Sequence, residues 1–280
     1  MTMPNGRRRG TAPLLPQEEE RSHVSNGSTR VTRSRECLLT ALLCLGTVPA
    51  RAQEKPTGSA EPAPSTAEIM DTFMKASTGN VADAVDEATG VRGFMARDMK
   101  PVFKAKAIGP AVTVLLQRAL RTDKREWPNL QIQTLDDAPP GSVIVEVLED
   151  GLDTAGVGNL MATTAKVRGL AGMVIDGGAR DIEELEEIGF PIWSRSQTPA
   201  TSVGRYVPVA RDVPVACGGV AVRPGDWIVA DQTGVVVVPR ASLPQVLKLL
   251  RQYDEKETKM IPLIKETKSM GKALQIFNRY

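Results

Sequence analysis

The sequence predicts an α/β fold, and three observations lead there. Apolar residues make up 41% of the 280-residue chain but aromatics only 4%, so a core must be built from Val, Leu, Ile and Ala, which suits sheets covered by helices. Val143–Leu148 (VIVEVL) is a strongly β-branched run with strand character. Gly156–Asp181 then reads as a glycine-broken turn, a helix over Leu160–Arg168, a glycine hinge, a buried strand over Met173–Ile175 and a polar loop, the make-up of a short βα unit. A chain of this length is expected to hold one ordinary domain with appendages, and two small domains remain possible.

Residues 1–52 stand apart. Arg30, Arg33 and Arg35 precede an apolar run, Cys37–Val48, which Ala50-Arg51-Ala52 follows. A basic segment, a short hydrophobic segment and a small-x-small site predict a secretory signal peptide cut after Ala52, and hence a periplasmic or secreted protein. The alternative is an unstructured tail with an apolar patch. The run is about 12 residues, too short to span a bilayer, so no membrane span is expected. Residues 1–29 are longer and more polar than an ordinary signal start, which points to initiation downstream.

Cleavage would change the available chemistry. Residues 1–52 hold 8 of the 35 Lys+Arg and 4 of the 33 Asp+Glu, leaving 27 basic against 29 acidic side chains. No concentrated basic face is evident, so no nucleic-acid partner is expected. Cys37 and Cys44 depart with the signal, leaving Cys217 without an internal disulfide partner, and the single histidine, His23, departs too. A chain without histidine cannot run a Ser-His-Asp or Cys-His site or build a histidine zinc site. A metal would be held by carboxylates, carbonyls and water, which favours Mg²⁺, Mn²⁺ or Ca²⁺.

Residues 53–65, rich in Pro, Ala and Glu, are expected to form a flexible tether, residues 66–258 the domain and residues 259–280 a charged helical tail. Ile69, Met70, Phe73 and Met74 recur at helical spacing, and a second helix is expected over Val81–Ala88, capped by Thr78 or Asn80. Lys104–Leu116 reads as a strand with a bulge or bend at Gly109-Pro110. Arg118–Gln133, which carries Trp127-Pro128, is either a loop with a short helix or a surface excursion. After the βα unit, Ile182–Ile188 is an acidic helix with Asp181 at its N-cap, ended by Gly189. Phe190–Trp193, Val203–Val209 and Val213–Val222 read as strands. Arg223-Pro224-Gly225-Asp226 is a turn, and Trp227–Ala230 with Val235–Val238 forms a hairpin. The remainder is helical, with Leu243, Val246, Leu247 and Leu250 on one apolar stripe.

Chemistry concentrates in Gly156–Asp181. Asp176, Arg180 and Asp181 are expected together at the exit of a buried strand, where α/β proteins place ligands. Arg180 could fork two hydrogen bonds to a carboxylate while Asp181 holds a divalent metal. The alternative is structural: an Arg180–Asp176 ion pair and an N-cap at Asp181. Gly156-Val157-Gly158-Asn159-Leu160-Met161 leads into a helix whose free N–H groups could bind an anion, or is a plain helix-entry turn. Lys166 and Arg168 are expected on the solvated helix surface, Cys217 as a small buried residue, and Asp226 and Asp231 as turn residues.

The order GNLMATTAK, GLAGMVIDGGARD, GFPIWSR and CGGVAVRPGDWIVADQTGVVVVP, with NVADAVDEATG and IGPAVTV, resembles the 4-hydroxy-4-methyl-2-oxoglutarate aldolase/RraA-like family over about Thr66–Leu250. The resemblance implies an αββα sandwich related to swivelling phosphohistidine-type domains, assembled as a homotrimer or a hexamer made of two trimers. It also implies class II pyruvate aldolase chemistry with Mg²⁺ or Mn²⁺, often with oxaloacetate decarboxylation. By position, Gly158, Asn159, Leu160 and Met161 match the segment that binds the pyruvoyl carboxylate, Arg180 the substrate-binding arginine and Asp181 the metal ligand. The family's aldolases usually carry an acidic residue where Asn159 stands, an anchor for metal-bound water. A second acidic group is expected from a neighbouring subunit's C-terminal region, with Glu255 or Glu257 the nearest candidates. The implied activity is a metal-dependent lyase on a small 2-oxo acid. Two rivals are a non-catalytic regulatory protein, whose known machine is cytoplasmic and so at odds with export, and a periplasmic organic-acid-binding protein.

Overall fold

Parallel strands buried on both faces must be apolar almost without interruption, and this requirement places the centre of the sheet. The computed structural model describes residues 64–120, 126 and 128–277; the signal segment, nearly all of the tether and Trp127 lie outside the described residues. In chain order the elements are α1 (Thr66–Lys75), α2 (Thr78–Thr89), β1 (Lys100–Pro101), β2 (Ala107–Arg118), α3 (Leu130–Asp137), β3 (Val143–Leu148), β4 (Ala155–Val157) and α4 (Asn159–Val167). There follow β5 (Gly172–Ala179), α5 (Ile182–Ile188), β6 (Ile192–Gln197), β7 (Tyr206–Arg211), β8 (Val215–Cys217), β9 (Val220–Val222), β10 (Trp227–Ala230), β11 (Val235–Val238), α6 (Leu243–Thr267) and α7 (Met270–Phe277).

Nine strands form one mixed sheet in the order β1-β6-β5-β3-β2-β10-β11, with β4 added to β5 and β7 to β2. It curls towards a barrel around an inner core. The parallel centre is β2, β3, β5 and β6. Along β3, Val143, Val145 and Val147 face that inner core while Ile144 and Leu148 face outwards, the period of two that a strand imposes. Leu135 of α3, Ala162 and Ala165 of α4 and Leu185 of α5 cover the outward side. Ile69 and Phe73 of α1, Val81 and Val85 of α2 and the α6 stripe Leu243, Val246, Leu247 and Leu250 cover β10, β11 and the start of β2. Each such burial contributes about 1.5–3 kcal/mol. The fold is therefore mixed α/β, as expected. Among the described residues no helix is long and apolar enough to cross a membrane.

Several boundaries move. The N-cap of α2 is Ser77, whose hydroxyl accepts from Asn80 N, while Thr78 instead donates to Asp231 with both its backbone N–H and its hydroxyl. β2 runs unbroken through Gly109-Pro110; what changes there is its partner, from β10 to β3, and the register shift falls at Leu115/Leu116 opposite β7. Asn129 caps α3, the short helix that was one of the two expectations for Arg118–Gln133; residues 121–125 of that stretch lie outside the described residues. The strand expected over Val213–Val222 is two strands, because Gly218 and Gly219 both take positive φ and turn the chain back on itself. The hairpin β10–β11 forms as expected.

Asp226 is more than a turn residue. It is 4% exposed, and its carboxylate accepts from the N–H groups of Arg223 at 2.8 Å and Arg240 at 2.9 Å. Asp226→Ala leaves two inward N–H groups without their acceptor and should lower unfolding stability by about 3 kcal/mol, with Asp226→Asn losing less. Urea denaturation followed by circular dichroism measures both.

Candidate active site

The end of β5 carries the charged residues, and β4 brings the anion-binding backbone to them. β4 pairs in parallel with the last turn of β5, Ala155 opposite Gly178 and Val157 opposite Ala179, and Arg180 N donates to Val157 O at 3.1 Å. Gly158, the next residue after β4, therefore lies beside Arg180 and Asp181. The fit leaves no space for a side chain, since a Cβ on Gly158 would stand 2.6 Å from Asp181 Oδ2 and 3.0 Å from Arg180 Nε.

Gly158 is the N-cap of α4 and offers no capping side chain. Asp181 supplies the missing acceptor from outside: its Oδ2 takes the N–H of Asn159 at 3.0 Å. The N–H groups of Leu160 and Met161, in the same first turn, have no acceptor among the described residues and carry the positive end of the helix dipole. Asp181 does sit at the N-cap of α5, as expected, but in the left-handed region (φ 57°, ψ 45°) and without a side-chain cap bond, which frees its carboxylate to face α4. Arg180 Nε lies 3.6 Å from Asp181 Oδ2, a loose pair in which both side chains keep substantial exposure, 40% and 29%. An open hollow of about 360 Å³ adjoins them, lined by Ala179–Ile182 and by Gln197, Thr198 and Pro199.

Gly158, Asn159, Arg180 and Asp181 are thus brought together. The Leu160 side chain turns to solvent, 78% exposed, and Met161 is half-buried against the outer core. Glu257 and Glu255 lie on α6. Glu257 accepts from Asn80 Nδ2 at 3.1 Å and lines a separate hollow with α1 and α2, so within one chain it does not meet Asp181.

Asp176 is the correction. The expected grouping of Asp176 with Arg180 and Asp181 does not form, and neither does an Arg180–Asp176 pair. β5 extends to Ala179, so Asp176 is inside the strand and its parity turns it inwards with Val174. It accepts from Arg195 Nη1 at 3.0 Å and from Gly218 N at 2.6 Å, while Arg195 also donates to Asp98 Oδ2 at 3.0 and 2.8 Å. Those bonds, first from Asp98 and then from Asp176, push the Arg195 pKa up, and the guanidinium holds the Asp98 carboxyl below its usual range.

Lys166 donates to Ile188 O, tying α4 to the end of α5. Gln197 and Thr198 were not foreseen; the signal for them is that β6 is the parallel neighbour of β5, so its carboxyl end opens onto the same crevice. Gln131, half-buried, and Glu146, fully buried, stand behind Gly156 and were also missed, although a single acid inside VIVEVL marks the place.

A divalent cation was expected here. Among the described residues no cluster of three or more His, Cys, Asp or Glu side chains is arranged to hold one. Asp181, a partly exposed carboxylate whose Oδ2 already accepts the Asn159 backbone N–H, is the acidic side chain that the cradle offers, and a hard cation held by so few protein ligands would keep most of its water.

Residues 78–237 match the RraA-like (Aldolase/RraA) family. The chain belongs to that family. A Halalkalibacterium halodurans protein bearing the name "Putative 4-hydroxy-4-methyl-2-oxoglutarate aldolase" is 34% identical over 182 residues, 63% of this chain and 79% of that one. An uncharacterised protein of Methanocaldococcus jannaschii is 34% identical over 58% of this chain and 76% of its own length. Among solved structures, Streptomyces coelicolor RraAS2, described as an unusual member of the RNase ES inhibitor RraA family, superposes with a TM-score of 0.62 at 29% identity, covering 72% of this chain and 98% of that one. An uncharacterised Pseudomonas syringae protein gives 0.66 at 27% identity, covering 76% and 99%. The Halalkalibacterium halodurans and Methanocaldococcus jannaschii relatives thus share about three quarters or more of their own length with this RraA-like chain.

Cys217 takes no part in the cradle. It is wholly buried, and burial, with the Asp176 charge adding to it, pushes its thiol well above the ordinary range. Native protein should therefore resist a thiol reagent such as Ellman's, and denaturation should expose the thiol to rapid reaction.

Proposed function

We propose that this RraA-like protein is a divalent-metal-dependent carbon–carbon lyase acting on small 2-oxo acids. The reactions are retro-aldol cleavage of 4-hydroxy-4-methyl-2-oxoglutarate-type substrates to pyruvate, decarboxylation of oxaloacetate, or both. The observation that carries this reading is the meeting of a half-exposed arginine, a carboxylate and two N–H groups without acceptors at one helix start. The αββα sandwich description of the fold and a homotrimeric or hexameric assembly belong with the same reading. Leu160 and Val203, on segments next to β4, are 78% and 79% exposed, apolar surface that a neighbouring subunit would cover.

The chain's own residues divide the work. The N–H groups of Leu160 and Met161 hold the substrate carboxylate, and Arg180 neutralises its charge with paired hydrogen bonds. Asp181 would hold the cation, with Asn159 and Glu257 of a neighbouring subunit the candidates for outer contacts through water. Mg²⁺ or Mn²⁺, when bound, stabilises the negative charge that develops on the keto oxygen as the C–C bond breaks. Gln197 and Thr198 edge the hollow that would take the leaving portion. No lysine lines this hollow, so an imine route lacks its amine. The name of the Halalkalibacterium halodurans relative agrees with this assignment.

Pyruvate release from 4-hydroxy-4-methyl-2-oxoglutarate and from oxaloacetate, measured with Mg²⁺, Mn²⁺ or EDTA, tests it. Arg180→Ala should lower kcat/KM by about 100-fold or more, the scale for loss of a charged hydrogen-bond donor at developing charge. Asn159→Asp should raise metal affinity and turnover, since it adds a negative charge beside Asp181. Absence of turnover with every metal, or indifference to Arg180→Ala, would sink the enzyme assignment and leave an RraA-like binding protein.

A further inference from the structure

We propose that Glu146 and Gln131 are positioning residues for this cradle: together they hold Gly156 against the sheet and so fix Gly158 and Asn159 beside Arg180 and Asp181. The link to substrate rests on the function proposed above; the structural half stands without it.

Glu146 is fully buried at the middle of β3, on the outward side where Ile144 and Leu148 pack among apolar neighbours. Its carboxyl lies on the backbone of β4, so close that a Cβ on Gly156 would stand 2.1 Å from Oε1. Gln131 Nε2, from α3, is 2.9 and 3.0 Å from the two carboxyl oxygens and 2.9 Å from Gly156 O. An amide nitrogen carries two hydrogens, so one serves the Gly156 carbonyl and the other is shared by the carboxyl. α3, β3 and β4 are thus joined at one atom. A buried polar pair costs more than the apolar pair that could replace it between α3 and β3. What an apolar pair could not supply is the grip on Gly156, two residues before the N-cap of α4.

The same site is sensitive to pH. Burial pushes Glu146 up to about 8, with the Gln131 hydrogen bond opposing. The groups that meet the carboxyl from the surrounding elements are Gln131 of α3, Gly156 of β4 and Gln131's second acceptor, the Gly156 carbonyl; Leu148 and Ile175 flank Gly156, and none of these titrates. The folded chain keeps this proton up to about pH 8, whereas the unfolded chain releases it near the ordinary 4.5. Stability is therefore lost as pH rises from 4.5 to about 8 and changes no further above it. Above pH 8 the ionised carboxylate is met, among the described residues, by the Gln131 amide alone. Relief comes by parting from Gly156 to admit water, which loosens the segment that leads into the cradle.

Amide hydrogen exchange on the full chain, at about pH 6 and about pH 9.5 and corrected for intrinsic rates, tests this. The amides of residues 156–159 should lose about tenfold more protection than those of α6 at the higher pH in wild type, and the two should change equally in Glu146→Gln. Protection of that segment that is flat with pH in wild type, or that falls equally in Glu146→Gln, overturns the proposal. If Glu146→Gln does not fold, Gln131→Leu serves: low protection of the segment at both pH values supports the proposal, and protection equal to wild type overturns it. In the pyruvate assay the wild-type KM should rise on the alkaline side with kcat moving less, and Glu146→Gln should be flat. A chain that turns over no 2-oxo acid yet shows the exchange response refutes the enzyme assignment and keeps this one.

Discussion

Parallel pairing of β4 with the end of β5 brings two backbones and several side chains into a space that admits no Cβ at Gly156 or Gly158. Glu146 Oε1 takes the place of the first and Asp181 Oδ2 the place of the second. With any side chain at either position β4 would stand off from β5, and the bond from Arg180 N to Val157 O would open. The start of α4 would then no longer face Arg180 and Asp181. Close approach of backbone, rather than strength of any one charge pair, is therefore what makes the site. The loose 3.6 Å separation of Arg180 from Asp181 agrees with this, because a pair serving stability would be shorter and more buried.

β5 also separates two charge systems by parity. On the inward side of β5, Asp176, Arg195 and the partly exposed Asp98 form a chain of short hydrogen bonds that reaches the β8–β9 turn through Gly218. Beyond the strand's end, Arg180 and Asp181 keep exposure and few partners. The inner arginine is bonded to two carboxylates at 2.8 and 3.0 Å, whereas the outer one makes a single loose contact at 3.6 Å. Buried polar groups are paired as a rule, so incomplete pairing at a strand exit is the more informative arrangement.

The parts of this fold legible in the sequence are those fixed by local chemistry: β3 from its β-branched run, the β10–β11 hairpin from its turn, the α6 stripe from its spacing, and the cradle glycines with Arg180 and Asp181. What escaped depends on tertiary pairing. Gly177 and Gly178 look like strand breakers, yet β5 runs through them because β4 and β6 pair there on either side. That extension is what turned Asp176 inwards. Gly218-Gly219 looked tolerable within one strand, but positive φ at both makes a turn. Thr78 resembled a helix cap, and Asp231, more than 150 residues away, took it over. Gln131 and Glu146 could be suspected from one acid in an apolar run, but their common target, Gly156, is visible only once α3, β3 and β4 are assembled.

The charge on the cradle follows from which residues these are. Arg180 and Asp181 cancel, and Asn159 adds nothing, so the fixed field left at the start of α4 is that of unpaired N–H groups and is positive. On the function proposed above, such a site would attract the carboxylate of a 2-oxo acid even without a cation, and the bound anion would supply charge that a cation needs. An acid at position 159 would reverse that order, gathering the cation first and meeting the substrate with a more negative field. On that reading Asn159 would shift the balance from metal towards anion, and cation affinity would depend on substrate as well as on the protein. Binding of the two ligands would then be mutually reinforcing, because each would provide the opposite charge that the cradle itself lacks.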